Sequence, residues 1–129
     1  MLNRLTLVLR PASSYHAQIQ KILREEHFDF QFGTLLKDSP DGDTTSEDVV
    51  LVTCVDFHDV GVVTEKLNSR TGLRLYLLDA NSNIFSYHTV DRRLNPLGIV
   101  YRADEATTYN SHIKVGQTIY HFWEAVNNG

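Results

Sequence analysis

The chain has 129 residues, 42% hydrophobic and 22% charged, which suits one domain over residues 1–129 with a single hydrophobic core. Its formal charge of −4 gives no general attraction to nucleic acid or to an anionic membrane, so no direct contact with either is expected. The lone cysteine, Cys54, excludes an internal disulfide and reads as a small hydrophobe in a reducing compartment. No apolar run is long enough to span a bilayer.

Met1-Leu2-Asn3-Arg4 leads into a strand without a secretory pattern, which makes the cytoplasm the expected location. Leu5 to Leu9 is a first apolar strand, ended by Arg10-Pro11. Ser13 or Ser14 can cap a helix over Tyr15 to His27, whose apolar residues Tyr15, Ile19, Ile22 and Leu23 keep helical spacing. Phe28 to Phe32 alternates with period two and predicts a half-buried strand. Lys37 to Asp48 holds five acids and one lysine and reads as a solvated loop. Asp41-Gly42-Asp43 resembles part of a calcium loop, but the later ligands are out of place.

Asp48-Val49-Val50-Leu51-Val52-Thr53-Cys54-Val55-Asp56 is a continuous apolar run bounded by acids. It predicts a central strand buried on both faces, as in a parallel sheet. A helix follows over His58 to Ser69, with Val62, Val63 and Leu67 inward. Leu73 to Leu78 is a strand ending at Asp79. Asn81 to Asn95 reads as a weak helix with a thin apolar stripe of Ile84, Phe85 and Val90. Leu97 to Tyr101 is a final strand, and Glu105 to Val126 a long final helix. In that helix Tyr109, Ile113, Ile119, Phe122 and Val126 face the core, with Tyr120 and Trp123 on an adjoining strip.

Strands alternating with helices imply right-handed crossovers and a doubly wound α/β fold. The expectation is a flavodoxin/CheY-like sheet of five parallel strands in the order 2-1-3-4-5. In such a sheet function gathers at the carboxyl ends of the strands, which brings Asp56 forward. Asp56 and His58 could form an acid–base pair, although a histidine there also caps its own helix. The six histidines, at 16, 27, 58, 88, 112 and 121, contain no pair spaced four apart for a zinc helix, and no metal is expected. A flavin would need a phosphate cradle after the first strand, and Arg10-Pro11-Ala12-Ser13-Ser14 has no glycine.

In length and element order the chain resembles the receiver domain of a two-component response regulator, with Asp56 at the phosphoacceptor-like position. A working receiver also needs an acidic pair after the first strand to hold Mg²⁺. It needs a Ser or Thr after the fourth strand and a Lys after the fifth. Here stand Arg10-Pro11, Asp79-Ala80 and Arg102-Ala103. The resemblance therefore implies a pseudo-receiver without catalytic residues, in which Asp56 is not phosphorylated. Leu97-Gly98-Ile99-Val100-Tyr101-Arg102-Ala103-Asp104-Glu105 is similar to the fifth strand of the LuxR/FixJ-type biofilm transcriptional regulators. Those proteins pair a pseudo-receiver with a C-terminal helix-turn-helix, so the chain would be either the N-terminal part of a longer regulator or a naturally short protein.

Some members of that group bind cyclic-di-GMP through a Trp-apolar-Ser/Thr-Arg motif. Phe122-Trp123-Glu124-Ala125 lacks the hydroxyl and the arginine, and the nucleotide does not carry over. The expected function is regulatory and non-enzymatic: dimerisation through the last helix, or binding of a protein partner. Tyr109, His112, Lys114, Tyr120 and Trp123 are the interface candidates. The alternatives are a stand-alone signalling adaptor and a small flavodoxin-like cofactor-binding protein or enzyme.

Overall fold

The computed structural model describes residues 4–10, 16–39, 41–67, 74–88, 93–101 and 109–124. Its elements, in chain order, are β1 (Leu5–Leu9), α1 (His16–Glu25), β2 (Phe30–Asp38), β3 (Thr44–Cys54) and α2 (Phe57–Leu67). Then follow β4 (Arg74–Leu78), β5 (Asn83–His88), β6 (Arg93–Ile99), β7 (Ser111–Val115) and β8 (Thr118–Phe122). The eight strands form one sheet in the order β6-β5-β4-β1-β3-β2-β7-β8, and every pairing is antiparallel.

This overturns the doubly wound parallel sheet and the response-regulator-like fold with it. The first six elements do run β-α-β-β-α-β. However, β2 and β3 join as a hairpin, so the chain reverses where the second crossover was expected. The result is the split β-α-β, or ferredoxin-like, order β4-β1-β3-β2, with two more strands on each side. The stretch read as an acidic loop is mostly ladder, from Lys37↔Thr45 to Thr34↔Asp48. Its real turn is short, closed by Ser39 N–H to the Asp43 carbonyl at 2.7 Å and Gly42 N–H to the Ser39 carbonyl at 2.9 Å.

Two further helices are corrected. The weak helix expected over 81–95 holds the β4–β5 turn, β5 and the start of β6. Over the described part of 105–126 the long last helix is the β7–β8 hairpin; residues 105–108 and 125–126 lie outside the described residues. The hairpin turns at Gly116-Gln117, where Gly116 takes φ +60°, a value glycine supplies without a Cβ clash. Pro96 sits in β6, an edge strand, where a missing N–H is tolerated.

Both helices lie over one face of the sheet. From α1, Ile19 and Leu23, one turn apart, join Val60 and Val63 of α2 against Leu7 and Leu9, Val50, Val52 and Cys54, and Leu75 and Leu77. Each such side chain contributes roughly 1.5–3 kcal/mol when fully buried. Helix α1 ends in a Schellman turn: Phe28 N–H bonds the Leu23 carbonyl at 2.9 Å, His27 N–H bonds Arg24 at 3.2 Å, and His27 takes φ +59°.

The other face packs on itself. Val8, Leu35, Val49, Tyr76, Ile84, Val100, Ile113 and Phe122 form one buried cluster. A flat eight-stranded sheet would be about 33 Å from edge to edge at roughly 4.8 Å per strand. Yet Val100, just past edge strand β6, lies in the same buried cluster as Phe122 of the opposite edge strand β8. The sheet curls until its edges touch, and one antiparallel bridge, Tyr101↔His121, closes the seam with N–H···O bonds of 2.9 and 2.8 Å. Curling explains why the Val49–Val52 run is apolar on both sides: β3 has helices on one face and the folded-over sheet on the other. Among the described residues no helix is long and apolar enough to cross a membrane.

Candidate functional site

The polar chemistry concentrates on the outer face of the seam, where β2, β7, β8 and Tyr101 come together. Side chains alternate along β7 and β8, so Ile113 and Phe122 point into the curl while His112 and His121 point out. His121 spends its own backbone N–H and carbonyl on Tyr101, across the seam. His112 and His121 are therefore a non-hydrogen-bonded cross-strand pair, the kind whose side chains approach closest. Their Nδ1 atoms stand 2.7 Å apart with the rings nearly perpendicular, at 82°.

The far nitrogen of His112, Nε2, lies 3.0 Å from Asp38 Oδ2, and Thr44 Oγ1 donates to Asp38 Oδ1 at 3.0 Å. A carboxylate only accepts, so the His112 Nε2 carries a hydrogen. The hydrogen bond from His112, then that from Thr44, hold the Asp38 carboxyl below the usual carboxylate range. On the other side Tyr109 stacks on His121 at 5.9 Å, and Tyr101 stacks on Tyr109 at 5.4 Å. The site is thus a file, Thr44–Asp38–His112–His121, with an aromatic stack at its end.

No known family, curated protein or solved structure matches this chain. Its function has to be read from the geometry.

Asn110 sets the file in place. Its carbonyl accepts the Asp38 N–H at 2.9 Å, which extends the β2–β7 ladder by one rung. Its side chain takes the Glu124 N–H at 2.8 Å and donates to the Glu124 carbonyl, prolonging the hairpin past β8. The Glu124 carboxylate is also held, by Tyr76 Oη and by Lys37 Nζ at 3.0 Å. Beside it Arg10 bonds Glu47 at 3.0 Å, and both cations lie over the Tyr76 ring, at 5.7 and 5.8 Å. Burial, then the hydrogen bond to Glu124, push the Tyr76 hydroxyl well above its usual pKa, so it stays a donor. With Glu124 fixed on both backbone groups, Trp123 is fixed one residue earlier and projects outward, 53% exposed.

The sequence-predicted residues separate clearly. His112 belongs to the file, Tyr109 to the stack, and Trp123 to the exposed strip beside them. Lys114 is exposed on the outer face of β7. Tyr120 points the other way and packs against the inner cluster. Asp56 is outside this group: its Oδ1 accepts the Asp59 N–H at 3.2 Å while Asp59 Oδ2 accepts the Val55 N–H at 2.9 Å. That is a reciprocal cap on α2. The helix on which the nucleotide motif would have to lie is replaced by β8, with Phe122 turned inward and Trp123 outward.

Sequence reading missed Asp38, His121 and Tyr101. A signal for His121 existed, since it and His112 lie at equal distances from Gly116-Gln117. Residues placed that way face each other if the stretch is a hairpin.

Proposed function

We propose that this domain is a protein-interaction module that pairs with a second copy of its chain through the outer face of the β6–β8 seam. One observation carries the reading. Ile99, Tyr101, Ile119 and Trp123, exposed by 50, 45, 38 and 53%, share one outer strip. Tyr101 is bridged to His121; Ile119 and Trp123 flank His121 on the same face, and the antiparallel direction sets Ile99 alongside Trp123.

Half-exposed side chains of this size leave about 100 Å² each, or about 400 Å² for the strip. A standard interface takes about 800 Å² from each partner. The apolar strip would form the centre of such an interface, with Lys114 at its rim. Two-fold homodimers are the commonest soluble assemblies, and they require one patch that faces itself. The free, buried Cys54 suits a reducing compartment, and we place the domain in the cytoplasm.

Trp123 is the chain's one tryptophan. Light scattering after size exclusion, over a wide concentration range, should show dimer forming as the emission of Trp123 shifts to the blue. Trp123→Ser should lower the dimer fraction and leave the melting temperature nearly unchanged. A monomer at every concentration, with constant emission, would refute the reading.

A further inference from the structure

We propose that His112 and His121 form a binding site for a divalent transition-metal ion of the Cu²⁺ or Ni²⁺ type. The ion would take the place of the hydrogen that the two rings share. Two imidazole nitrogens 2.7 Å apart require one N–H between them. The Asp38 carboxylate fixes which ring supplies it. Because His112 Nε2 donates to Asp38, a neutral His112 offers its Nδ1 lone pair toward His121. A metal-binding histidine takes this arrangement, with one nitrogen on the ion and the other N–H on a carboxylate. The Thr44 hydroxyl, on the second oxygen of Asp38, completes the outer support.

The spacing selects the ion. Two donors at about 2.0–2.1 Å from one metal stand about 2.9 Å apart at a right angle and about 3.4 Å apart at the tetrahedral angle. From 2.7 Å, a right-angled pair needs the rings to part by only a few tenths of an ångström. Tyr109 stacks over His121 and limits its swing, so His112 makes the adjustment. Square-planar preference and imidazole affinity favour Cu²⁺ and Ni²⁺ over Zn²⁺. On binding, His121 moves its hydrogen from Nδ1 to Nε2, and water fills the remaining positions. Among the described residues no group of three or more His, Cys, Asp and Glu converges on one point, because Asp38 sits on the far side of the His112 ring. The site is a two-ligand one.

The test uses the whole chain with each metal alone. Calorimetry with Ni²⁺ should give one ion per chain, and electron paramagnetic resonance of the Cu²⁺ form should show two equatorial imidazole nitrogens. His112→Gln and His121→Gln should each weaken binding at least tenfold. Asp38→Asn, which touches no metal, should weaken it about tenfold. The remaining histidines stay in all of these variants, so adventitious binding is subtracted. Should a variant not fold, the histidine ring-proton signals of the unaltered protein decide instead. Selective broadening of two rings in contact with each other, one of them also against Tyr109, supports the site; broadening spread over all six overturns it. Equal Ni²⁺ affinity in the unaltered chain and a folded double variant also overturns it.

Discussion

Replacing Gly33 by alanine tests the strand arrangement on which the site depends. Gly33 lies in β2 where β7 passes closest. A methyl group there would sit 2.8 Å from the Lys114 carbonyl oxygen, 3.0 Å from Leu51 Cδ1 and 3.3 Å from Val115 Cγ2. The leucine can rotate away, but the carbonyl belongs to the ladder that pairs Thr34 with Lys114. Relief therefore means parting β2 from β7. Overpacking of this kind costs about 1–3 kcal/mol, offset by about 0.5–1 kcal/mol from restricting the unfolded chain. The net loss is about 1–2 kcal/mol. At about 4 °C per kcal/mol for a domain of this size, the melting temperature should fall by roughly 4–8 °C. Circular dichroism melts and urea titrations would measure it. Gly61→Ala is the control: it lies in α2 with no atom within 4 Å of the added methyl, and should gain about 0.5–1 kcal/mol. If Gly33→Ala were as stable as the unaltered protein, β7 could not run beside β2 in this register. The Asp38–His112 contact would fall with it.

Asp56→Ala should lose about 0.5–2 kcal/mol in urea because α2 loses its cap, while Asp56→Asn should stay close to the unaltered protein. The Cys54 thiol, pushed up to about 12 by burial and then by the charges of Asp59 and Asp56, should not react with a thiol reagent until the chain unfolds. Rapid labelling under native conditions would contradict its burial. In the β4–β5 turn, burial alone would raise the Asp79 pKa. Hydrogen bonds from the Asn83 side chain, the Asn83 backbone and the Asn81 backbone outweigh that, and the carboxyl titrates below its usual 3.8. Its contribution to stability is therefore present above that pH and fades as pH falls through the folded value. Asp79→Ala should melt lower than the unaltered protein near neutrality, and the gap should close in acid.

The local elements were legible, and their pairing was not. The first strand, the amphipathic spacing of Ile19 and Leu23, and the apolar run to Cys54 each follow from a period within a few residues. The β-α-β-β-α-β order is shared by two sheets that differ only in the middle link. Treating Lys37 to Asp48 as one loop hid a short turn between two long strands. It did so because Lys37 and Glu47 look solvated, although in the fold they pair with Glu124 and Arg10. The last stretch misled through arithmetic: four residues, as between Tyr109 and Ile113, is about one helical turn but also two strand repeats. Gly116 and the run Thr118-Ile119-Tyr120-His121-Phe122 were the better guide, a turn former followed by β-branched and aromatic residues. The histidine pair could not be seen until that hairpin was known.

The seam also bears on how the molecule breathes. Two backbone hydrogen bonds between Tyr101 and His121 join the outermost strands, and each has a net worth of about 0.5–1.5 kcal/mol. Separating the edges thus costs far less than unfolding the split β-α-β centre, and it would briefly wet Val100 and Phe122 from one side. In hydrogen exchange the Tyr101 and His121 amides should open together and early, while those of β1 and β3 wait for global unfolding. The curled sheet is a loop of strands fastened by a single bridge, and His121 is one half of it.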